Sequence, residues 1–243
     1  MGEINFGKYV TFIPGVRYDF SHLKYNAYSG SNVPDNEEKE HEFEYEKSSD
    51  SDKYGYWLPQ IHLRVKPTNW MDIRLAYTET LSRPDYNLLA PRTIIKPNVN
   101  EVTWSRTNLK PALSRNYDVI LTFYQPDYGL FTISGFYKDI KNFTYTRSAY
   151  MLNGTVTDPA NFDLPMSLSG GSITYPLNSP CNATLKGLEF DLQLQFRKMR
   201  NFMKGVVFSA NLTLMDSKMN YFETLKSRIK NPDFTPGGTE KPF

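Results

Sequence analysis

The stretch that decides the fold is LEFDLQLQF, residues 188–196, in which apolar and polar residues alternate without a break. Successive side chains of a β-strand point to opposite faces, so this strand has one apolar face and one charged or amide face. The apolar face carries Leu188, Phe190, Leu192, Leu194 and Phe196. The polar face includes Glu189, Asp191 and Gln193. A soluble sheet shows this pattern once or twice, because only one of its faces meets water.

The same period of two recurs along the chain, so that seven long strands are predicted. They lie at about residues 9–25, 56–66, 70–81, 114–124, 130–140, 185–196 and 205–215. Short turns and long loops join them in alternation, which is typical of a transmembrane β-barrel with lipid outside and a wet lumen inside. The predicted fold is therefore all-β: an antiparallel up-and-down meander of about seven long strands, forming a partial transmembrane β-barrel. Because single-chain bacterial barrels have an even number of strands, we expect the chain to be a fragment.

The alternation also assigns side chains to the two faces. The polar, lumen-facing set is predicted to comprise His62, Arg64, Lys66, Asp72, Arg74, Glu189, Asp191 and Gln193. The apolar residues 188–196 named above are expected to face lipid. Matching faces predict that Phe123 lies near Phe131, Leu121 near Ile133 and Leu194 near Phe208.

Three local expectations follow from the same pattern. Asp72 should lie beside Arg64 or Lys66 as a wet pair worth less than about 1 kcal/mol. Pro14 and Gly15 suggest a bulge or kink in the first strand. The tail from residue 216 onward shows no strand pattern.

Composition excludes several classes of function. The net charge of +2 gives no basic field for nucleic acid. One cysteine and three scattered histidines offer no metal spacing, so no metal and no cofactor are expected. There is no nucleophile elbow and no phosphate-binding glycine loop, so the chain is not expected to be an enzyme. No basic and apolar leader opens the sequence, and we expect no signal peptide in this fragment.

Candidate ligand contacts lie in the long loop at residues 82–113, and they are Arg83, Tyr86, Trp104 and Arg106. Aromatic rings beside charges stack on sugars or hold anionic chelates. The alternative is that these side chains hold the loops together, and this is favoured for Arg83. The acidic loop at residues 35–53 is interpreted as a solvated loop, with a divalent-cation site as the alternative.

Four stretches, taken in order, resemble TonB-dependent outer-membrane receptors. They are LPQIHLRVKPTNWMDIRLAYTETLSRPDYNLLAP (residues 58–91), NLKPALSRNYDVILTFY (108–124), GLFTISGFYKDIKNF (129–143) and LKGLEFDLQ (185–193). The family's Gly-Asn-Pro ahead of the second stretch is replaced here by Ser105-Arg106-Thr107. The resemblance implies a 22-stranded barrel around a plug, of which residues 1–243 would be a partial barrel domain without the plug, the TonB box and the terminal strands.

The resemblance also implies a function. It implies active uptake of a scarce siderophore or oligosaccharide across the outer membrane of a Gram-negative bacterium. The implied partners are outer-membrane lipid, the protein's own plug domain, the inner-membrane TonB complex, a small-molecule or glycan ligand and a surface lipoprotein. The lumen-facing set would then pack against the plug. Two alternatives remain: a soluble all-β carbohydrate-binding or adhesin module, which would cover its apolar face with a second sheet, and a passive porin.

Overall fold

The structure is a computed structural model that describes residues 2–31, 46–91, 93–96, 101–105, 108–152, 155–156, 171–196, 205–220, 222–223 and 241–242. Almost all of its regular structure is β. The strands are β1 (Ile4–Phe6), β2 (Val10–Ser31), β3 (Glu46–Thr68), β4 (Met71–Ser82), β5 (Thr93–Lys96), β6 (Glu101–Trp104), β7 (Ala112–Gln125), β8 (Gly129–Lys141), β9 (Thr144–Leu152), β10 (Thr155–Val156), β11 (Ser172–Asn178), β12 (Ala183–Gln195), β13 (Val207–Met219), β14 (Phe222–Glu223) and β15 (Lys241–Pro242). A single turn of helix, α1 (Tyr86–Leu89), follows β4. In these ranges no helix is long and apolar enough to cross a membrane.

The seven predicted strands are confirmed, and they form one antiparallel meander. The order of the wall is β2-β3-β4-β7-β8-β12-β13, so each of the seven long strands pairs with the next long strand along the chain. The short strand β1, which the pattern did not predict, pairs with the start of β2 on its other side. The predicted partners are also found: Phe123 faces Phe131, Leu121 faces Ile133 and Leu194 faces Phe208. The sheet does not close over the described residues, since β13 pairs there only with β12.

The apolar face of this wall is uncovered. Leu188 is 47% exposed, Phe20 61% and Trp57 67%, although all three are large apolar side chains. Among the described residues no second sheet packs across this face. The soluble sandwich, which requires such a sheet, is therefore contradicted. An open apolar face of this size is what a barrel wall presents to lipid.

Two rows of aromatic side chains bracket the apolar face. Tyr77, Tyr117 and Tyr137 stand side by side, with ring centroids 5.1 and 6.2 Å apart. A second row lies at the other end of these strands, where Phe123 and Phe131 are six residues from Tyr117 and Tyr137 and Trp70, just before β4, is seven residues from Tyr77. The ring centroids are 6.2 Å apart for Trp70 and Phe123 and 6.4 Å apart for Phe123 and Phe131. Outer-membrane barrels carry such aromatic girdles where the strands leave the hydrocarbon.

Two of the long loops contain regular structure that the alternation did not predict. The loop at residues 82–113 contains α1, β5 and β6, and the loop at 141–184 contains β9, β10 and β11. Two antiparallel pairs form in these loops, β5 with β6 and β9 with β11. Two parallel pairings, β6 with β11 and β2 with β5, connect the pairs to each other and to the far end of β2. We call these four strands the loop sheet. Its buried cluster is Val102, Ala149, Ile173 and Tyr175.

A side-chain clamp ties the loop sheet to the wall. The amide nitrogen Nδ2 of Asn178 donates to the carbonyl oxygens of Lys110 and Asn142, each at 2.8 Å. Its Oδ1 accepts from the backbone N–H of Lys110, also at 2.8 Å. Asn142 has a positive φ of 54°, which an asparagine tolerates at a sharp change of chain direction. Asn178 therefore joins the chain entering β7 to the chain leaving β8.

The structure differs from two of the local expectations, the bulge at Pro14 and Gly15 and the tail without strands; the kink alternative at Pro14 stays a prediction. Pairing runs without interruption from Ile13 through Gly15, so the first strand has no bulge there. The carbonyl oxygen of Pro14 accepts a hydrogen bond from the backbone N–H of Gly2, on the side of the strand away from β3. The nitrogen of Pro14 lies on the same side, so its lack of an N–H costs no hydrogen bond to β3. The register shift lies instead between Val65 and Thr68. The tail is partly regular, since β13 continues to Met219 and β14 pairs with β15.

The turn between β7 and β8 requires its glycine. Gly129 has a φ of +127°, and a Cβ there would lie 1.9 Å from the backbone oxygen of Gln193. In the same turn, the carbonyl oxygen of Tyr128 accepts a 2.8 Å hydrogen bond from the backbone N–H of Gln195. The glycine thus allows the β7–β8 turn to meet β12, which fixes the register of all three strands.

Candidate functional site

The polar face of the wall is organised around one buried carboxylate. Asp72 is only 1% exposed, and it accepts from Arg64 Nε at 2.7 Å and from Arg74 Nε at 3.2 Å. Arg64 Nη2 makes a further contact with the same carboxylate. The predicted contact with Arg64 is confirmed, whereas Lys66 makes no ion pair with Asp72 among the described residues. The expectation of a wet pair is wrong, because two guanidinium groups cover the carboxylate.

The register explains this geometry. Arg64 and Arg74 face each other directly across β3 and β4, so two like charges occupy adjacent places on one face. Asp72 lies two residues before Arg74 and therefore on the same face, within reach of both. The carboxylate neutralises a pair of arginines that would otherwise repel each other.

A polar groove of about 560 Å³ extends from this cluster across the same face. His62, Asp118 and Glu189 line it together with Arg64 and Arg74. Asp191 lies further along β12 and accepts from Gln193 Nε2 at 3.2 Å. The strand register places seven of the eight polar residues on one face, opposite the apolar residues of β12, whereas Lys66 lies in the register shift between Val65 and Thr68. The seven are His62, Arg64, Asp72, Arg74, Glu189, Asp191 and Gln193, and the apolar residues are Leu188, Phe190, Leu192, Leu194 and Phe196.

A second polar cluster lies where β2 and β3 rise beyond the apolar part of the wall. Arg83, at the end of β4, contacts Asp19 and donates to Ser21 Oγ at 2.9 Å. Burial lowers the pKa of Arg83, but Tyr54 and the carboxylate of Asp19 outweigh burial and raise the pKa overall. This guanidinium is therefore a fixed positive charge at the end of the polar face that carries the loop sheet.

Tyr54 lies beside this charge, and further tyrosines lie next to Tyr54. Tyr54 and Tyr56 lie on the polar face of β3 with ring centroids 5.7 Å apart. Burial, followed by the charges of Tyr54, Tyr86 and Asp52, raises the pKa of Tyr25. The hydroxyl of Tyr25 is buried and has no hydrogen-bond partner among the described residues. We call Tyr25, Tyr54, Tyr56, Arg83 and Tyr86 the mouth cluster.

The four ligand candidates from the sequence take different positions. Arg83 and Tyr86 belong to the mouth cluster, and Tyr86 is 68% exposed. Trp104 instead packs on the buried cluster of the loop sheet, with its ring centroid 6.5 Å from that of Tyr175. Arg106 lies outside the described residues. The neighbouring Asp85 caps α1 through the N–H of Asn87 at 2.7 Å, which stabilises the loop that carries Tyr86.

Sequence reasoning missed three members of the mouth cluster, Tyr25, Tyr54 and Tyr56. The alternation of faces could have identified them. Tyr54 and Tyr56 are each an even number of residues from Gln60 on β3 and therefore share its face, and Tyr25 likewise shares the face of Asp19 on β2. Tyr25 and Tyr56 are terminal residues of the predicted strands at residues 9–25 and 56–66, and Tyr54 lies two residues outside the second of them. β2 and β3 in fact pair from Val10 with Val65 to Ser29 with Glu46.

Metal binding finds no support in the described residues, where no group of three or more potential His, Cys, Asp or Glu ligands comes together. Much of the acidic loop, residues 35–45, lies outside them, so its divalent-cation alternative stays a prediction. The arrangement that is present combines a fixed cation, aromatic rings and a buried hydroxyl. These groups suit recognition of an anionic or polyhydroxylated ligand.

Comparison with known proteins agrees with this architecture. A family model described as TonB dependent receptor-like, beta-barrel, matches residues 1–240. No curated protein matches the chain significantly.

Several solved structures share the fold. The Serratia marcescens hemophore receptor HasR, solved as a double mutant with its hemophore HasA and heme, is 17% identical with a TM-score of 0.57, over 88% of this chain and 32% of that one. The ferric enterobactin receptor PfeA from Pseudomonas aeruginosa, solved as a mutant with enterobactin, is 16% identical with a TM-score of 0.55, over 88% and 25%. The copper transporter OprC is 16% identical with a TM-score of 0.55, over 87% and 27%. The chain thus spans about a third or less of these proteins, and at this identity the likeness shows the fold alone.

Proposed function

Because the chain belongs to the TonB-dependent receptor β-barrel family, we propose that it forms part of the wall of an outer-membrane transporter that actively takes up a scarce ligand. The observation that carries the proposal is the division of one meander into an uncovered apolar face and a charged face. In a transmembrane barrel, lipid covers the apolar face and the water-filled lumen solvates the charged face. Such a wall has a transport role rather than a catalytic one.

The proposed ligand contacts are in the mouth cluster. Arg83 supplies a positive charge, and the rings of Tyr54, Tyr56 and Tyr86 supply flat apolar surfaces beside it. The buried hydroxyl of Tyr25 would gain a partner from a ligand oxygen, which matters because an unsatisfied buried polar group costs about 1–3 kcal/mol. These groups favour an anionic, oxygen-rich ligand of the siderophore kind; an oligosaccharide, which also stacks on tyrosine, is the second candidate.

The remaining partners are proposed for the whole protein. The polar groove beside Arg64 and Arg74 would face a plug domain inside the barrel. Energy would come from the inner-membrane TonB complex. Outer-membrane lipid would surround the apolar face, and a surface lipoprotein would approach from the side of the loop sheet.

Uptake by cells that produce the full-length receptor tests the proposal. Iron-labelled siderophores and fluorescent oligosaccharides are supplied with and without an uncoupler of the proton-motive force. Active transport predicts uptake that the uncoupler abolishes. Uptake that survives the uncoupler would show a passive porin and contradict the proposal.

Matched variants test the site. Arg83→Gln should weaken binding of the accepted ligand about tenfold or more, since loss of a charge-assisted bond costs about 1.5–3 kcal/mol. Tyr56→Ala should weaken it through loss of stacking. Tyr128→Phe, in the turn at the opposite end of the wall, is the control and should bind normally. Equal affinity for all three variants would remove the mouth cluster from the site.

A further inference from the structure

One arrangement of charges occurs twice on the polar face of the wall. In each copy, a single carboxylate contacts two arginines, one through each of its oxygens. The residues are Arg64, Asp72 and Arg74 in one copy, the lower arginine triad, and Arg17, Asp19 and Arg83 in the other, the upper arginine triad. The carboxylate is the least exposed member of each, at 1% for Asp72 and 18% for Asp19. Two positive charges and one negative charge leave each triad with a net positive charge.

The lower arginine triad has hydrogen-bond donors to spare. Arg64 uses Nε and Nη2 on Asp72, and Arg74 uses Nε at 3.2 Å with Nη2 at 3.5 Å. Within the described part of the chain, Nη1 of each arginine bonds to no protein atom, and the two side chains are 38% and 48% exposed. The pairing with Asp72 therefore fixes two guanidinium groups side by side and leaves part of each planar fork open to a second anion.

The groove described above adjoins this triad. Its volume of about 560 Å³ is within the range of small-molecule sites. Arg64 and Arg74 line it from β3 and β4, whereas Asp118 and Glu189 line it from β7 and β12, with Phe136 on β8 between them. An anionic group at the arginines would leave the two carboxylates for N–H or O–H donors elsewhere on the same ligand.

The two triads follow one another along the same face. Asp19 pairs with Tyr56, and Arg64 lies eight residues further along β3, so both positions point to the polar side. At the rise of a β-strand, this separation is roughly 27 Å. The upper arginine triad includes Arg83 of the mouth cluster. The lower one therefore lies below the mouth, toward the turn that joins β3 to β4.

We propose that the lower arginine triad is a second anion-binding station, which takes over the anionic group of the transported ligand after that group leaves the upper arginine triad. The inference rests on the proposed function and extends it into the lumen. The ligand class is an anion with carboxylate or phosphate oxygens, which the planar guanidinium fork matches, and with N–H or O–H groups that Asp118 and Glu189 accept. Because the two stations share their chemistry, the ligand finds a similar counter-charge at both.

Cysteine modification in intact, energised cells that produce the full-length receptor tests the station. The receptor is first freed of cysteine, which in this chain requires only Cys181→Ser. One reporter, Ala76→Cys, lines the groove two residues from Arg74, and a matched reporter, Thr213→Cys, lies on the same polar face opposite Glu189. The probes are negatively charged sulfonatoethyl methanethiosulfonate and a positively charged trimethylammonium analogue.

The expected result is a local preference for the anionic probe. The ratio of the anionic to the cationic reaction rate should be about fivefold or more higher at Ala76→Cys than at Thr213→Cys. Millimolar citrate, an oxygen-rich anion, should slow the reaction at Ala76→Cys about threefold and leave Thr213→Cys unchanged. Equal ratios at the two reporters, no reaction at Ala76→Cys or no protection by citrate would each overturn the proposal.

Matched variants assign the effect to the triad. Arg74→Gln leaves Arg64 and Asp72 as a neutral pair, and it should lower the rate ratio at Ala76→Cys about threefold and abolish protection by citrate. Lys138→Gln removes a positive charge from the same face outside both triads, and it should preserve protection by citrate. Protection that survives in Arg74→Gln would contradict the assignment. If Arg74→Gln does not reach the membrane, Arg64→Gln decides in its place.

Uptake kinetics separate this proposal from the proposed function. Arg74→Gln should lower the maximal uptake rate of the accepted ligand about threefold without changing the half-saturating concentration, whereas Arg83→Gln should raise that concentration. Active uptake that Arg74→Gln leaves unchanged, together with unchanged protection by citrate, would remove the station and retain the proposed function. Uptake that survives the uncoupler, with protection by citrate that depends on Arg74, would contradict the proposed function and leave the anion site assigned.

Discussion

Asp72 is the residue on which the polar face of the wall depends. It holds Arg64 and Arg74 together at a point where the register sets them directly opposite each other. Removing the carboxylate leaves two positive charges side by side on one face. Both arginines are partly exposed, at 38% and 48%, so water screens part of this repulsion.

Asp72→Ala should therefore destabilise the full-length receptor by about 1–3 kcal/mol, the range for lost bonds to charged groups. Urea unfolding in detergent micelles, followed by tryptophan fluorescence, measures the change. Asp191→Ala is the matched control, because Asp191 lies on the same face and its side chain accepts one exposed hydrogen bond, from Gln193, in the described part of the chain. Equal midpoints for the two variants would show that the arginine pair needs no counter-charge.

The burial of Asp72 illustrates what sequence alone leaves open. The alternation of side chains along the strands predicted that Asp72 and Arg64 share one face, and their hydrogen bond in the structure confirms it. No local sequence pattern predicts the register shift between Val65 and Thr68, and this shift places Arg74 opposite Arg64. The two guanidinium groups then cover a carboxylate that the turn length alone would leave wet.

At the scale of the strand, β12 tests which face meets lipid. Leu192 has four apolar companions on its face, and the adjacent Gln193 lies on the polar face. Leu192→Arg should cost roughly 2–4 kcal/mol in the full receptor, the penalty for a charge near the membrane midplane. Gln193→Arg should cost far less. Folding into vesicles across a urea gradient measures both, and comparable costs would contradict the assignment of the faces.

The Asn178 clamp makes a second prediction at this scale. Asn178→Ala removes the bonds to Lys110 and Asn142, so the loop sheet should separate more easily from the wall. We expect amide exchange in residues 144–152 and 172–178 to rise about tenfold, equivalent to 1.4 kcal/mol. Exchange in β12 should not change.

Asn182→Ala is the control, since within the described ranges its amide donates only to the carboxylate of Asp139, in an exposed contact. Unchanged exchange in the loop strands of Asn178→Ala would show that their buried cluster alone holds them in place.

The sequence predicted the wall far better than the loops, and the reason is physical. A wall strand such as β12 repeats its pattern over 13 residues, and each strand pairs with its neighbour in the chain. β5 and β6 have 4 residues each, too few for an alternating pattern to stand out. They pair with each other, but their outer partners, β2 and β11, lie in distant parts of the chain. No local signal therefore marks Ile173 on β11 as a fully buried residue or Trp104 on β6 as part of its cluster.

At the scale of the whole molecule, the wall needs its surroundings. Its apolar face is open, and β13 has one unpaired edge in the structure described. The isolated chain should therefore aggregate in buffer and become dispersed in detergent. Light scattering across a detergent series measures this. A monodisperse monomer in buffer without detergent would contradict the membrane assignment.

The parallel pairings of the loop sheet also set an order of events during assembly. Gly30 pairs with Ile94 and Glu101 with Ser172, residues more than 60 positions apart, whereas Gln125 reaches Gly129 across one tight turn. Closing long segments costs entropy before any contact repays it, so distant pairings form slowly. The hairpins of the wall should become protease-resistant first and the extracellular surface last, which timed proteolysis during refolding into micelles can resolve. A newly inserted receptor would then pass through a stage with a complete wall and an immature outer surface, unable to recognise its ligand.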